Sequence, residues 1–313
     1  MWRRTAQRAA PVRGAAALAV LTAFALGAAA CESGGGGTAA GGAIRVVAAE
    51  NFWGSLVTQL GGSHVSVTSV VTDPNVDPHD YQSSAGNARA FAIAQYVIVN
   101  GAGYDNWASS LLNANQDTSR RVLDVAALLG KHEGDNPHFW YGPAFVTQVA
   151  DRITTDLSAI DSADSSYFMQ QRTALETALQ PYHDRIASIK QQFSGRKIAS
   201  TESIFVYMAA ALGLNVISPP AFMQAVSEGN DPPAATVAEF NQQLQSKEAT
   251  VLVYNRQTAT DVTTNLRQLA TQENIPVVGV TETIEPPGTS FQLWMAGELN
   301  ALQNALIASR RAQ

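Results

Sequence analysis

Short apolar runs alternate with helix-spaced segments through the first half of the chain. Residues 44–48 form one such run, and the stretch after it carries apolar residues at helical spacing until Gly61. Further strand-like runs follow at 64–71, 96–99 and 121–125. Strands separated by helix-like stretches predict a parallel sheet with helices on both faces, and therefore an α/β lobe.

A long polar helix is predicted over residues 162–193. Its apolar residues lie along one side: Leu175, Leu179, Ile186 and Ile189. Because the segment is too long for an ordinary crossover and too polar to be buried, we predict that it bridges two lobes. Pro181 in its interior predicts a kink or a division into two helices, since proline removes a backbone donor and clashes with the preceding turn.

The alternation restarts after this helix. Strands are predicted at 197–200, 216–218, 250–254 and 276–280. Helices are predicted at 204–212, 234–246, 259–272 and from 290 to about 310. The fold class is therefore α/β, with parallel-sheet lobes at 43–160 and 196–313 joined by a linking helix at 161–195. Because ligands bind beyond the carboxyl ends of strands in such sheets, we predict a ligand site in the crevice between the lobes.

The first thirty residues predict an export signal. Four arginines precede a run of small and apolar residues at 14–30, and the first thirty residues contain no acidic residue, as is typical of a signal peptide. The only cysteine, Cys31, follows three alanines and precedes a Gly-rich stretch that predicts a flexible tether over 31–42. This arrangement resembles a bacterial lipobox, which implies that Cys31 is lipidated and anchors the exported protein at the outer face of the cytoplasmic membrane or in the periplasm.

The composition narrows the class of partner. The chain is 46% hydrophobic and 15% charged, which suits a soluble globular body. Its formal charge is −6, and with the four arginines of the first thirty residues set aside the remainder carries −10. An acidic body argues against nucleic acid as a partner and is compatible with a cationic ligand.

Two of the five histidines stand in the same kind of turn. His79 lies in "DPHDYQ" and His138 in "NPHFWYGP", each at a strand-to-helix junction of the first lobe. Proline fixes its own φ and restricts the residue before it, so a Pro-His pair aims its imidazole from a stiffened backbone. Two such turns in one lobe favour a pair of ligands over two ordinary surface histidines.

Two carboxylates follow predicted strands of the second lobe. Glu202 stands in the first turn of a predicted helix, where an acidic residue would also stabilise the helix dipole and Thr201 could cap the helix. Glu282 could equally be an ordinary acidic loop residue, and the nearby Glu285 is an alternative candidate ligand. Together with the histidines they form a two-imidazole, two-carboxylate set. Imidazole suits several transition metals, carboxylate favours the harder ions, and the lack of a free thiolate argues against Cu(I).

At these motifs the chain resembles the solute-binding lipoproteins of bacterial zinc and manganese ABC importers, often called cluster A-I. The resemblance extends over nearly the whole mature chain, and the features that carry it are "DPHDYQ", "NPHFWYGP", the long helix, "STESIFVYMAAALGL" and "VTETIEPPGTSFQLW". The resemblance implies the metal ligands His79, His138, Glu202 and Glu282. Zinc importers usually have His where Glu202 stands, so manganese is favoured over zinc. The fourth ligand is usually Asp, and the longer Glu282 leaves its denticity open.

The resemblance implies capture of one divalent ion, Mn²⁺ or Zn²⁺ with Fe²⁺ as a third candidate, by a monomer without enzymatic activity, tethered to the membrane by its lipid anchor. The ion would pass to a membrane permease and its ATPase. Zinc-type members often carry a His-rich loop between the Pro-His motifs, where this chain has only His132, a weak accessory candidate. His64 and His183 are predicted to be solvated surface residues.

The residues are also compatible with two other functions. A larger chelate, such as a siderophore or corrinoid, would need a wide aromatic or Arg-lined cleft, for which Trp107, Trp140 and Tyr141 are available. An exported metallohydrolase would need an open coordination position and a general base, but no HExxH or GxSxG motif is present. Surface attachment, a role ascribed to some relatives, is neither supported nor opposed by the residues.

Overall fold

Eight parallel strands form two sheets within residues 42–311, the part of the chain that the computed structural model describes. The first sheet contains β1 (Ile44–Glu50), β2 (Val65–Val71), β3 (Tyr96–Val99) and β4 (Arg121–Asp124), in the order β2-β1-β3-β4. The second contains β5 (Lys197–Ser200), β6 (Asn215–Val216), β7 (Leu252–Asn255) and β8 (Val277–Val280), in the order β6-β5-β7-β8. All pairings are parallel, which confirms the predicted α/β class with two lobes.

Helices connect the strands of each lobe. In the first lobe they are α1 (Asn51–Gly61), α2 (Ala85–Ile93), α3 (Asn106–Ala114), α4 (Val125–Leu128) and α5 (Pro143–Ile160), followed by α6 (Ser165–Phe193). In the second they are α7 (Val206–Ala211), α8 (Pro220–Ser227), α9 (Ala234–Gln245), α10 (Asp261–Gln272) and α11 (Phe291–Arg311). The predicted elements recur with small shifts in their ends, whereas α2, α3, α4, α5 and α8 were not predicted.

Helix α6 links the lobes as one continuous helix of 29 residues, so of the kink or division predicted at Pro181 the division is wrong. The residues on either side explain why, because Leu179 and Tyr182 are each buried in the core. Burial of two large apolar side chains contributes about 1.5–3 kcal/mol each, which offsets the roughly 3 kcal/mol that an interior proline costs. The helix contacts α1 and α5 of the first lobe and α11 of the second, as expected for a bridge.

One hydrophobic cluster runs through both lobes. Phe52 of α1 stacks on Trp140 with ring centroids 3.9 Å apart, and the same cluster contains Phe205 and Trp294 from the second lobe. Leu175 of α6 joins it from the linking helix. Because interiors packed in this way resist deformation, the shared cluster limits how far the lobes can move apart.

The predicted signal peptide, Cys31 and nearly all of the tether lie outside the described residues. Within residues 42–311, no helix combines the length and the apolar character needed to cross a bilayer.

Candidate metal centre

The four predicted ligands meet between the two sheets. One donor atom from each of His79, His138, Glu202 and Glu282 lies within 4.8 Å of the others. His138 and both glutamates are fully buried, and the His79 side chain is 20% exposed. Glu282 Oε2 is 3.4 Å from His79 Nε2 and 3.9 Å from His138 Nε2.

Each Pro-His turn is held by the Asp or Asn that precedes its proline. The Asp77 side chain accepts a hydrogen bond from the His79 backbone N–H at 2.9 Å. Asn136 accepts from the His138 N–H at 3.1 Å in the same way. An Asx side chain that accepts from the backbone two residues on fixes a tight turn. The repeated Asx-Pro-His sequence is therefore a device for presenting an imidazole.

Asn136 also orients the His138 ring. Its Oδ1 lies 2.7 Å from His138 Nδ1, so Nδ1 carries the hydrogen and the lone pair of Nε2 faces the cluster. The Nε2 atoms of both His79 and His138 are buried without a hydrogen-bond partner. A hydrogen bond from one ring nitrogen to a neighbouring oxygen, with the other nitrogen free to coordinate, is the usual arrangement of a metal-binding histidine.

The two carboxylates are held together by Asn255. Strand β7 lies between β5, which leads to Glu202, and β8, which leads to Glu282, so the last residue of β7 sits between the two side chains. Asn255 Nδ2 donates to Glu202 Oε1 at 2.7 Å and to Glu282 Oε1 at 2.8 Å. Asn255 was not predicted from the sequence, although its place at the carboxyl end of a strand follows the rule that identified the glutamates.

Two hydroxyl groups hold the remaining carboxylate oxygens. Tyr104, in the loop after β3, donates to Glu282 Oε2 at 2.6 Å, and Ser227, at the end of α8, donates to Glu202 Oε2 at 3.2 Å. Neither was predicted, because no local pattern marks a hydroxyl that reaches the opposite lobe or a neighbouring connection.

Burial and charge shift the proton affinities at this centre. Burial, together with the charge of Glu282, raises the pKa of Glu202 well above its usual value. Burial and the nearby His79 lower the pKa of His138 well below its usual value, so its imidazole is neutral. Burial and Glu282 raise the pKa of Asp77 to about 6. A divalent cation between the carboxylates would relieve the repulsion from Glu282 that contributes to the raised pKa values of Glu202 and Asp77.

The competing candidates lie elsewhere. Glu285 pairs with Arg256 and is not in the cluster, so Glu282 is the glutamate that faces the histidines. His132 is exposed and also outside the cluster. His64 is only partly exposed, because its ring packs on Tyr167, and it pairs with Asp164 at 2.8 Å. His183 is half-buried, 3.9 Å from Glu176.

A family model described as "Zinc-uptake complex component A periplasmic" matches residues 46–305. The chain belongs to this family. The match covers both lobes and the linking helix, and it confirms the resemblance inferred from the Pro-His and glutamate motifs.

Curated relatives of this family member include two manganese proteins. The chain is 26% identical over 208 residues to the manganese-binding lipoprotein MntA of Halalkalibacterium halodurans, covering 63% of the chain and 68% of the relative. It is 24% identical over 207 residues to the manganese ABC transporter substrate-binding lipoprotein PsaA of Streptococcus pneumoniae, covering 59% and 64%. The aligned part thus spans about two thirds of each relative's length.

Solved structures share the fold of this family member over almost their whole length. The solute-binding protein FpvC of Pseudomonas aeruginosa, in complex with Ni²⁺, has a TM-score of 0.71 at 15% identity, covering 85% of the chain and 98% of FpvC. The periplasmic zinc-binding protein TroA of Treponema pallidum has a TM-score of 0.70 at 16% identity, covering 86% and 99%.

Proposed function

We propose that this chain is the solute-binding lipoprotein of an ABC importer and captures one divalent transition-metal ion. The observation that carries the proposal is the buried group of two imidazoles and two carboxylates, drawn equally from the two lobes. His79 and His138 would bind through Nε2, and Glu202 and Glu282 through carboxylate oxygens. The names of the manganese-binding relatives support the same cargo.

Manganese is the favoured ion. The donor set contains two carboxylates and no sulfur, and Glu202 takes the position where the resemblance leads us to expect His in a zinc importer. Zn²⁺ binds most sites of this kind more tightly than Mn²⁺ in vitro, because intrinsic affinities run in that order, and Fe²⁺ fits the same donors. We therefore expect selection in the cell to depend on supply and on the permease.

The geometry favours a bare ion over the two alternative functions. The donor atoms lie within 4.8 Å of one another, which leaves room for an ion but not for a siderophore or corrinoid. Of the three aromatic residues available for such a cleft, Trp140 and Tyr141 are fully buried in the core, and Trp107 is partly buried against Tyr81 and Phe91. We propose no catalytic role, since capture and release need no general base.

We propose that residues 1–30 are a signal peptide and that Cys31 carries the lipid anchor of a tether ending at residue 42. The mature monomer, with lobes at 43–160 and 196–313 and the linking segment 161–195, would work outside the cytoplasm beside a permease and its ATPase. The resemblance and the relatives' description as lipoproteins support this placement.

Elemental analysis tests the proposal. Residues 32–313 would be purified without chelator, stripped, and titrated with Mn²⁺ and Zn²⁺. We expect about one ion per chain, lost in His79→Ala and in His138→Ala and retained in the control His183→Ala. Retention of Mn²⁺ against a modest Zn²⁺ challenge would favour a manganese importer. Failure to load any metal stoichiometrically would refute the proposal and bring the larger chelate forward.

A further inference from the structure

The loop that carries His79 has few connections to the second lobe. The loop that carries His138 is fastened there twice, because Asn136 donates to the Ser203 carbonyl at 2.8 Å and Tyr207 donates to the Asn136 carbonyl at 2.8 Å. By contrast, the hydrogen bonds of residues 73–82 are mostly local turns formed by Asp73 and Asp77. His79 is also the most exposed of the four candidate ligands.

One side chain of the second lobe reaches this loop. Gln257, which is 8% exposed, donates from Nε2 to the Val76 carbonyl at 2.8 Å. Among the described residues, this is the one hydrogen bond between the loop 73–82 and the second lobe. The other end of the same amide accepts from the backbone N–H groups of Glu282 at 2.7 Å and Thr283 at 3.0 Å.

We infer that Gln257 is a positioning residue that couples the His79 loop to the Glu282 loop and so keeps the metal site closed. This inference rests on the proposed function. The amide is planar and rigid, and it contacts both loops three residues or fewer from a candidate ligand. The backbone N–H of Gln257 donates to Asn255 Oδ1 at 3.0 Å, which connects Gln257 to the residue that holds both carboxylates.

Loss of this contact should act mainly on release of the ion. Without the donor, the 73–82 loop keeps only its local turns and can carry His79 away from the ion. A buried hydrogen bond between uncharged groups contributes enough for about a fivefold change in an equilibrium. We therefore expect Mn²⁺ to dissociate about fivefold faster, with little change in the association rate.

Two substitutions distinguish the role of the Gln257 N–H donor from that of its oxygen acceptor. Gln257→Met removes both the donor and the acceptor, while Gln257→Glu keeps an acceptor for Glu282 and removes the donor to Val76. The added charge in Gln257→Glu would by itself strengthen cation binding, so faster dissociation in that variant reports on the lost contact with the Val76 carbonyl. Gln243→Met is the matched control, because Gln243 donates to the Ile217 carbonyl at 2.8 Å within the second lobe.

The test measures Mn²⁺ release from the mature protein, purified in detergent, by stopped-flow mixing with a chelator. Hydrogen exchange of the metal-loaded protein gives a second reading that a general loss of stability would not reproduce. We expect both Gln257 variants to release Mn²⁺ faster and to exchange faster in residues 73–82, with residues 135–142 unchanged and Gln243→Met like the unmodified protein.

The outcomes separate the two hypotheses. If the unmodified protein binds Mn²⁺ but both Gln257 variants release it at the same rate as that protein, the inference is overturned and the proposed function stands. Equal loss of protection in 73–82 and 135–142 would also overturn it, since Gln257 would then support the fold in general. If the unmodified protein binds neither Mn²⁺ nor Zn²⁺, the proposed function itself fails.

Discussion

Tyr104 donates its hydroxyl hydrogen to the Glu282 carboxylate at 2.6 Å, across the crevice between the lobes. Both side chains are buried, and burial together with the charge of Glu282 raises the pKa of Tyr104 well above its usual value. The phenol therefore keeps its hydrogen and remains a donor. Through this bond, Tyr104 of the first lobe orients a carboxylate oxygen of Glu282 in the second lobe. The same oxygen faces the imidazoles of His79 and His138.

We expect Tyr104→Phe to weaken Mn²⁺ binding about tenfold, because loss of a hydrogen bond that orients a metal ligand typically lowers metal affinity about 10- to 100-fold. The ring and its contact with Trp140, at 5.2 Å between centroids, would remain, so thermal stability without metal should change little. Competitive Mn²⁺ titration measures the change. Tyr96→Phe is the control, since the Tyr96 hydroxyl donates to the Asp156 carboxylate at 2.9 Å, outside the group of candidate ligands. Equal affinity in both variants would contradict the assigned role.

Glu202 should set the preference between metals. Replacing its carboxylate with an imidazole in Glu202→His should raise the Zn²⁺-to-Mn²⁺ affinity ratio by about tenfold, since imidazole suits zinc and carboxylate suits manganese. Titration of the stripped protein with each ion measures the ratio. Glu202→Gln separates ligand type from charge and should weaken both ions. An unchanged ratio in Glu202→His would show that the preference is set elsewhere.

Metal binding should release a proton from Glu202. Its raised pKa means that the metal-free protein holds this proton above the usual carboxyl range, and the ion must displace it. Affinity should therefore fall as the pH falls through that raised pKa, while His138, whose pKa is lowered, stays neutral. Calorimetry in buffers of different ionisation enthalpy counts the protons. We expect about one fewer in Glu202→Gln, and equal counts in the two proteins would refute the assignment to Glu202.

Glu298 should make the metal-free protein less stable at alkaline pH. Burial raises its pKa from the usual 4.5 to about 7, against hydrogen bonds from Tyr141 and Thr281 that lower it. The folded state holds this proton between pH 4.5 and 7 while the unfolded chain releases it. This stabilisation of the folded state is therefore fully present below pH 4.5 and is lost as the pH rises through about 7.

The variant Glu298→Gln has no proton to lose. Relative to the unmodified protein it should gain on the order of 3 kcal/mol of unfolding free energy between pH 4.5 and pH 8. Urea unfolding of the stripped proteins at several pH values gives the difference. Glu239→Gln, at an exposed position on α9, is the control and should show no such trend. A constant difference for Glu298→Gln would argue against this titration.

Local pattern was sufficient for much of this protein. Short runs rich in apolar residues, with an alternating pattern at β2, predicted a strand at each of the eight strand positions, because the inner strands of a parallel sheet are buried on both faces and are therefore largely apolar. The one-sided spacing of Leu175, Leu179 and Ile189 predicted the linking helix. The rule that ligands bind at the carboxyl ends of strands pointed to two Pro-His turns and two glutamates, and the family resemblance favoured Glu282 over Glu285 in a set of four side chains that the fold brings together.

What only the tertiary structure decided depends on distances between residues far apart in the chain. Asn255 holds both carboxylates because β7 lies between β5 and β8, and strand order is not written in the periodicity of any single strand. Tyr104 and Gln257 act across the crevice on residues 178 and 181 positions away. Likewise, Pro181 stays inside one helix because its neighbours are buried in a core that both lobes build. The sequence thus determined which side chains are available at each strand end, and the three-dimensional arrangement of the strands determined which of them meet.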